Sequence, residues 1–245
     1  MRLYFGILQT MNVFAISDLH LSGACAKPMD IFGTGWDGYW DKIRADWRAR
    51  VKEDDIVLIA GDISWAMQMQ DAMVDLMQIA QLPGHKVLLR GNHDYWWSSL
   101  ARLRAQLPAG MYVVQNDCVR IGSYRICGSR LWSLGPNPTE EDKKILDREY
   151  IRLELSLQCA ARDLQEGERI LAMTHYPPFD VTARANRYTE LMQKYGVSKV
   201  VYGHLHGKDC RAMPYREIGG IGYYLTSCDK VDNRLVRIEG EEAEE

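Results

Sequence analysis

The chain has 245 residues, enough to bury a sizeable core, and its 47% hydrophobic and 26% charged content is that of an ordinary globular protein. A formal net charge of −3 without a long basic run argues against an extended nucleic-acid footprint or an anionic-membrane surface. Six cysteines form no CxxC pair, and a chain of this size needs no disulfide staples, so they read as reduced thiols in a cytoplasmic protein.

Residues 1–10, MRLYFGILQT, contain no convincing cleavage site and no apolar span long enough for a membrane helix. They read as an N-terminal extension without a fold role. Three runs, VFAIS (13–17), DIVLIA (55–60) and HKVLLR (85–90), are apolar almost throughout, as strands covered on both faces are. Each is followed by an amphipathic stretch predicted to be helical: 36–51, 65–80 and 96–107. In the second of these, Trp65, Met67, Met69, Met73, Leu76 and Met77 are expected to form a packed helix face. In the third, Trp96 and Trp97 are expected to start the helix, one buried and one partly exposed. The alternation of strand and helix suggests right-handed crossovers.

Next comes YVVQN (112–116), and then CVRIG and YRICG, which alternate around Gly122-Ser123 and read as a hairpin. The strongest helix spans 139–164, with Thr139 as cap, Asp142 three residues on, and Leu146, Tyr150, Leu153, Leu157 and Leu164 along one face. Strands are expected at 170–175, 199–205, 222–228 and 234–239, with a helix near 187–195. The acidic end, 240–245, reads as a solvated tail. With no repeat or linker, residues 11–239 are read as one domain.

The placement of polar residues is more informative than their number. His20, His93, His175, His204 and His206 fall at or just past predicted strand ends, as do Asp18, Asp62, Asn92 and Asp94. Only His85 lies elsewhere. Residues beyond the carboxyl ends of parallel strands gather in one crevice, so SDLH (17–20), GD (61–62), GNHD (91–94), TH (174–175) and GHLHG (203–207) can meet. Carboxylate, imidazole and amide donors together suit borderline divalent metals, whereas a thiolate set would favour zinc or an iron–sulfur cluster. The donors are too many for one tetrahedral ion and suffice for two with a bridging carboxylate, the clamp used in phosphoryl hydrolysis. Gly61, Gly91, Gly203 and Gly207 are expected to let the backbone turn close to the ions.

The ordered set DxH, GD, GNHD, a lone His and GHxH resembles the calcineurin-like metallophosphoesterases, with all five blocks present over residues 13–207. The strings GDISWAM (61–67), LLRGNHDYWWSSL (88–100) and VVYGHLHG (200–207) further resemble a bacterial branch of predicted phosphohydrolases. The resemblance implies a first metal held by Asp18, His20, Asp62 and His206, and a second sharing Asp62 and adding Asn92, His175 and His204. It places His93 near the substrate leaving group with Asp94 orienting it. It implies a four-layer α/β/β/α sandwich of two mixed β-sheets flanked by helices.

The residue types agree with these roles. A metal-bound water can supply hydroxide at neutral pH, so no serine or cysteine nucleophile is needed. An imidazole titrating near neutrality can protonate a departing alkoxide. The expected activity is hydrolysis of a small-molecule phosphate ester, preferably a phosphodiester or nucleotide-type substrate, by in-line attack with two divalent ions such as Mn²⁺, Fe or Zn²⁺. A phosphomonoesterase, a pyrophosphohydrolase and a non-catalytic scaffold that binds partner proteins stay open as alternatives. Selectivity is expected in the rim segments 21–40 and 176–190, where Arg184 and Arg187 lie. Arg130, just past a strand, is a further candidate phosphate contact.

Overall fold

The structure is a computed structural model that describes residues 11–25, 27, 29–134, 137–179, 184–207 and 210–240. The extension at 1–10 and the tail from 241 onwards lie outside the described residues, as do positions 26, 28 and 180–183 of the expected rim. The apolar runs become Val13–Ile16 (β1), Ile56–Ile59 (β2), His85–Leu89 (β3) and Met111–Val114 (β4), paired in parallel in that order. A second sheet contains Cys118–Ile121 (β5), Tyr124–Ser129 (β6), Arg169–Thr174 (β7), Val197–Tyr202 (β8), Tyr215–Ile218 (β9) and Ile221–Leu225 (β10), ordered β5-β6-β7-β8-β10-β9. Val236–Glu239 (β11) then returns to the first sheet, antiparallel to β1. Both sheets are therefore mixed.

Tyr39–Arg50 (α1), Met69–Ala80 (α2) and Leu100–Gln106 (α3) cover the outer face of the first sheet, where Trp47, Leu76 and Leu103 pack with Phe14, Ile16 and Ile59. Glu140–Ala161 (α4) and Arg187–Lys194 (α5) cover the second, through Leu153, Leu157, Leu191 and Met192. Between the sheets, Val13, Ala15 and Leu58 meet Ile126, Leu171 and Met173. Strands buried on both sides explain the unbroken apolar runs, and each such Ile, Leu or Val contributes roughly 1.5–3 kcal/mol of transfer free energy. The result is the expected four-layer sandwich.

The cap of α4 is as expected. Thr139 Oγ1 accepts from the Asp142 amide at 3.1 Å, and the Asp142 carboxylate accepts from the Thr139 amide at 2.9 Å. Three other expectations are corrected. The second helix begins at Met69 and not at 65, because residues 63–65 run extended beside Leu21, bonded Leu21 N–H to Ile63 and Trp65 N–H to Leu21. Of its expected packed face, Leu76 is buried and Met69 and Met73 partly so, whereas Met67 and Met77 are exposed. Trp96 and Trp97 do not start α3 and are both buried, their indole N–H groups donating to Asp94 and Gln115. The edge strand β9 was not expected. Its charged Arg216 and Glu217 break the apolar pattern, and it pairs with β10 across Gly219-Gly220.

Candidate metal centre

The carboxyl ends of β1, β2, β3, β7 and β8 open at the same end of the two sheets, so each brings its following residues to one place. Short loop bonds fix the approach. Asp18 N–H donates to the Gly61 carbonyl at 3.0 Å, His20 N–H to that of Asp62 at 2.9 Å, and Gly203 N–H to that of His175 at 3.1 Å. Four of the expected ligands, Asp18, His20, Asp62 and His204, have left-handed backbones with φ of 56°, 45°, 53° and 68°. Such conformations cost roughly 1–3 kcal/mol each and concentrate at functional sites.

Asp62 Oδ2 is buried without a hydrogen-bond partner among the described residues. It lies 3.7 Å from His20 Nε2 and 3.5 Å from His175 Nε2, so an imidazole faces it from each side. Its other oxygen accepts from the His93 amide at 2.8 Å. The Nε2 atoms of His20 and His206 face each other at 3.4 Å. Asn92 Oδ1 sits 2.7 Å from His175 Nε2 and 3.0 Å from His204 Nδ1. Asp18 accepts from the His204 amide and from Ser17 Oγ.

Two groups of ligand atoms follow: Asp18 with His20 and His206, and Asp18 with Asp62 and His175, the atoms of each group within 4.8 Å of one another. Asp18 is common to both groups, while Asp62 Oδ2 has a histidine from each group on either side. A buried carboxylate oxygen without a hydrogen-bond partner and two ring nitrogens facing each other suit cations between them. The donor set therefore fits divalent metal, and all seven expected ligands converge.

Gly61 and Gly207 turn with φ of 96° and 92°, as expected, and Gly91 and Gly203 serve a further purpose. A Cβ on Gly91 would lie 2.1 Å from Asp62 Oδ1, and one on Gly203 2.6 Å from Asp18 Oδ2. Both make room for a carboxylate of the candidate centre.

Electrostatics in the metal-free chain follow from burial and these contacts. Burial opposes charge on His175, but Asp62 and Asp18 outweigh it and raise its pKa to about 9. Asp62 is also opposed by burial, yet His175 and His20 hold its carboxyl below the usual range. Burial lowers His20 and His204 to about 4, only partly offset by Asp62 and Asp18. The proton on His175 thus occupies a position that a metal would take. The Nδ1 of His175 donates to the Ala60 carbonyl at 3.0 Å, which aims Nε2 at the centre.

His93 stands beside the candidate ligands, its ring 5.7 Å from that of His20 and 4.6 Å from that of Trp65. Burial lowers its pKa despite the pull of Asp62. The expected orienting contact from Asp94 to this ring is not made. The Asp94 carboxylate, completely buried, accepts instead from the amides of Asp62, Ile63, Ser64 and Gly91 and from the Trp96 indole. Adjacent side chains point apart, and the turn after β2 supplies donors that the imidazole would otherwise have to match. Asp94 is a positioning residue for Asp62.

Trp65 was missed as a site residue. It stacks on His20 at 4.6 Å and 21°, and also borders His93. Its position directly after GDIS, beside the carboxylate Asp62, is the one local signal. Tyr176 was missed too and lies 4.1 Å from the His204 ring. A cavity of about 870 Å³ opens beside His204, with Trp132, Phe179, Tyr202 and Arg216 in its walls. Arg187 also lines it but pairs with Asp147 at 2.8 Å, and Arg184 is exposed outside it.

A family model described as calcineurin-like phosphoesterase matches residues 11–208. A search of curated proteins returns no match. Among solved structures, TT1561 of Thermus thermophilus is similar over 94% of this chain and 98% of its own, with TM-score 0.55 and 12% identity. The protein of unknown function AQ665 from Aquifex aeolicus is similar over 93% and 96%, with TM-score 0.49 and 17% identity. At 12% identity the likeness to TT1561 concerns fold alone.

Proposed function

The chain belongs to the calcineurin-like phosphoesterase family, and from that premise we propose that it is a dinuclear metal-dependent hydrolase of a small phosphodiester or nucleotide-type ester. The observation that carries this reading is Asp62 Oδ2, buried, without a hydrogen-bond partner among the described residues and flanked by the His20 and His175 imidazoles. Two divalent ions supply Lewis-acid stabilisation of phosphoryl oxygens and a water acidic enough to attack near neutrality.

Asp18, His20 and His206 would hold one ion, and Asn92, His175 and His204 the other, with Asp62 between them. Asp94 fixes the Asp62 turn through its amide bonds, so the carboxylate needs little reorganisation on loading. Trp65 excludes water from one side of His20 and His93. The His93 imidazole gives its proton to the departing alcohol oxygen. The cavity beside His204 takes the alcohol portion, and the aromatic walls at Trp132, Phe179 and Tyr202 suit an aryl group or nucleobase. Among the described residues no helix is long and apolar enough to cross a membrane.

The test is hydrolysis of bis-aryl and mono-aryl phosphates with Mn²⁺ or Zn²⁺, with Asp62→Ala and His93→Ala variants checked for folding by circular dichroism. The expected result is hydrolysis by wild type with preference for the diester, abolished in Asp62→Ala. In His93→Ala the rate should fall most for esters of poor leaving groups. Equal rates for Asp62→Ala and wild type would overturn the proposal.

A further inference from the structure

We propose that a second pocket, at the carboxyl ends of β3, β4 and β6, is a binding site for a phosphate-class dianion. The pocket has a volume of about 260 Å³, smaller than the usual site for a drug-sized ligand and suited to one or two phosphoryl groups. Four arginines line it: Arg90 after β3, Arg130 after β6, and Arg148 and Arg152 one turn apart on α4. A single lining carboxylate, Glu149, opposes them, and its bonds are already taken. Its Oε2 accepts from Ser129 Oγ at 2.6 Å and its Oε1 from Arg152 Nη1 at 2.7 Å, while Arg130 Nη2 is 3.9 Å away.

The Arg90 Nε is buried without a hydrogen-bond partner among the described residues. Nearby Asp94 cannot serve it, since that carboxylate accepts five N–H groups elsewhere. Asp117, the next acid along the β4–β5 turn, is paired with Arg104 at 2.6 Å. Four guanidinium groups around one occupied carboxylate carry an excess of positive charge that an anion would neutralise. Their planar forks match phosphoryl oxygens two at a time, which a set of lysines would not do.

The pocket also communicates with the metal centre through the backbone. Arg90 immediately precedes the GNHD segment, and the Arg130 carbonyl accepts from the amides of His175 and Tyr176. The dianion can be a second phosphate of the substrate or a free phosphate such as a released product. Both share the chemistry that the arginines recognise.

The test uses the full chain stripped of metal with EDTA, so that phosphate has no ion to bind, titrated calorimetrically with inorganic diphosphate and with orthophosphate. Saturable one-to-one binding is expected in wild type. In the double variant Arg148→Gln/Arg152→Lys it should be about ten-fold weaker or more. The lysine keeps a cation beside Glu149 so that the helix stays folded, which the thermal midpoint checks. Arg48→Gln, which removes an exposed charge on α1, should bind as wild type does. No saturable binding in wild type, or equal affinity in the double variant, overturns the site.

A second arm assigns the source of the phosphate. With metal restored, a preference in kcat/KM for an ester carrying a second phosphate, lost in the double variant, identifies substrate. Binding without such a preference identifies free phosphate. The calorimetric arm needs no turnover, so absence of all hydrolysis would sink the phosphoesterase reading and leave this site standing.

Discussion

Raising the pH from 6.5 to 9 should tighten metal binding and, in the metal-free chain, weaken the fold. Both effects come from His175. It is completely buried against Asp62 and Asp18, and its pKa stands at about 9, against an unfolded value of 6.5. At pH 7 the metal-free centre therefore carries a proton on the nitrogen that would ligate an ion. Displacing it costs about 2.7 kcal/mol, or about 100-fold in affinity, relative to the fully deprotonated state above pH 9. His20 and His204, lowered to about 4 by burial, are already neutral and add nothing above pH 6. Metal affinity should thus rise about ten-fold per pH unit from 7 towards 9 and then level off. In the absence of metal the linkage has the opposite sign. A raised folded-state pKa stabilises fully below 6.5, and that stabilisation of about 3 kcal/mol is lost as pH rises through 9. Imidazole ¹⁵N shifts of the metal-free chain would report the proton on His175 directly. Titration calorimetry in buffers of different ionisation enthalpy would count the protons released on loading. A His175 that titrates near 6.5, together with pH-independent affinity between 7 and 9, would refute the reasoning.

Other substitutions probe the supports of the centre. In Asp94→Asn the single amide oxygen can satisfy either the two donors now on Oδ2 or the three on Oδ1, leaving the rest against an NH₂ group. A loss of about 2 kcal/mol or more in urea unfolding is expected, and an unchanged midpoint would contradict the positioning role. Gly91→Ala sets a methyl 2.1 Å from Asp62 Oδ1 and 2.2 Å from the Asp62 backbone nitrogen, so the carboxylate and the turn that carries it must move. Metal affinity should drop by about ten-fold or more, at a stability cost of roughly 1–3 kcal/mol, as read by equilibrium dialysis and thermal melts. Phe179→Ala removes one wall of the cavity beside His204. It should raise KM for an aryl ester with little change in kcat, the pattern of lost uniform binding.

The sheet-forming runs and the candidate ligand set were legible in the sequence for one reason. Strands such as 13–16 and 56–59 are buried on both faces, and the residues that follow them are polar against that background. Asp18, His20, Asp62, Asn92, His175, His204 and His206 all stood out as polar groups where an apolar strand ends. Asp94 carried the same signal, and its role was misassigned because sequence adjacency to His93 does not report side-chain direction. Its partners are amides of a turn about 30 residues earlier in the chain. Trp65 was hidden by its periodicity with Met69, Met73 and Leu76, which fits a helix until the pairing of Leu21 with Ser64 holds the chain extended. The arginine pocket was legible only as Arg130 alone, since Arg90, Arg148 and Arg152 meet it through tertiary packing. Backbone strain at Asp18, His20, Asp62 and His204 falls on Asp and His, types enriched at positive φ, but those types are too common elsewhere in the chain to single out these positions.

The central claim is that Asp62 lies between two metal ions. Its most direct measure is the metal content of the full chain after loading with Mn²⁺ and removal of loose ion, by mass spectrometry of the metal, with electron paramagnetic resonance reporting coupling between ions. Two ions per chain with a spin-coupled signal, both lost or reduced to one uncoupled ion in Asp62→Asn, is the expected result. One uncoupled ion or none in wild type, or a content unchanged by Asp62→Asn, would contradict it.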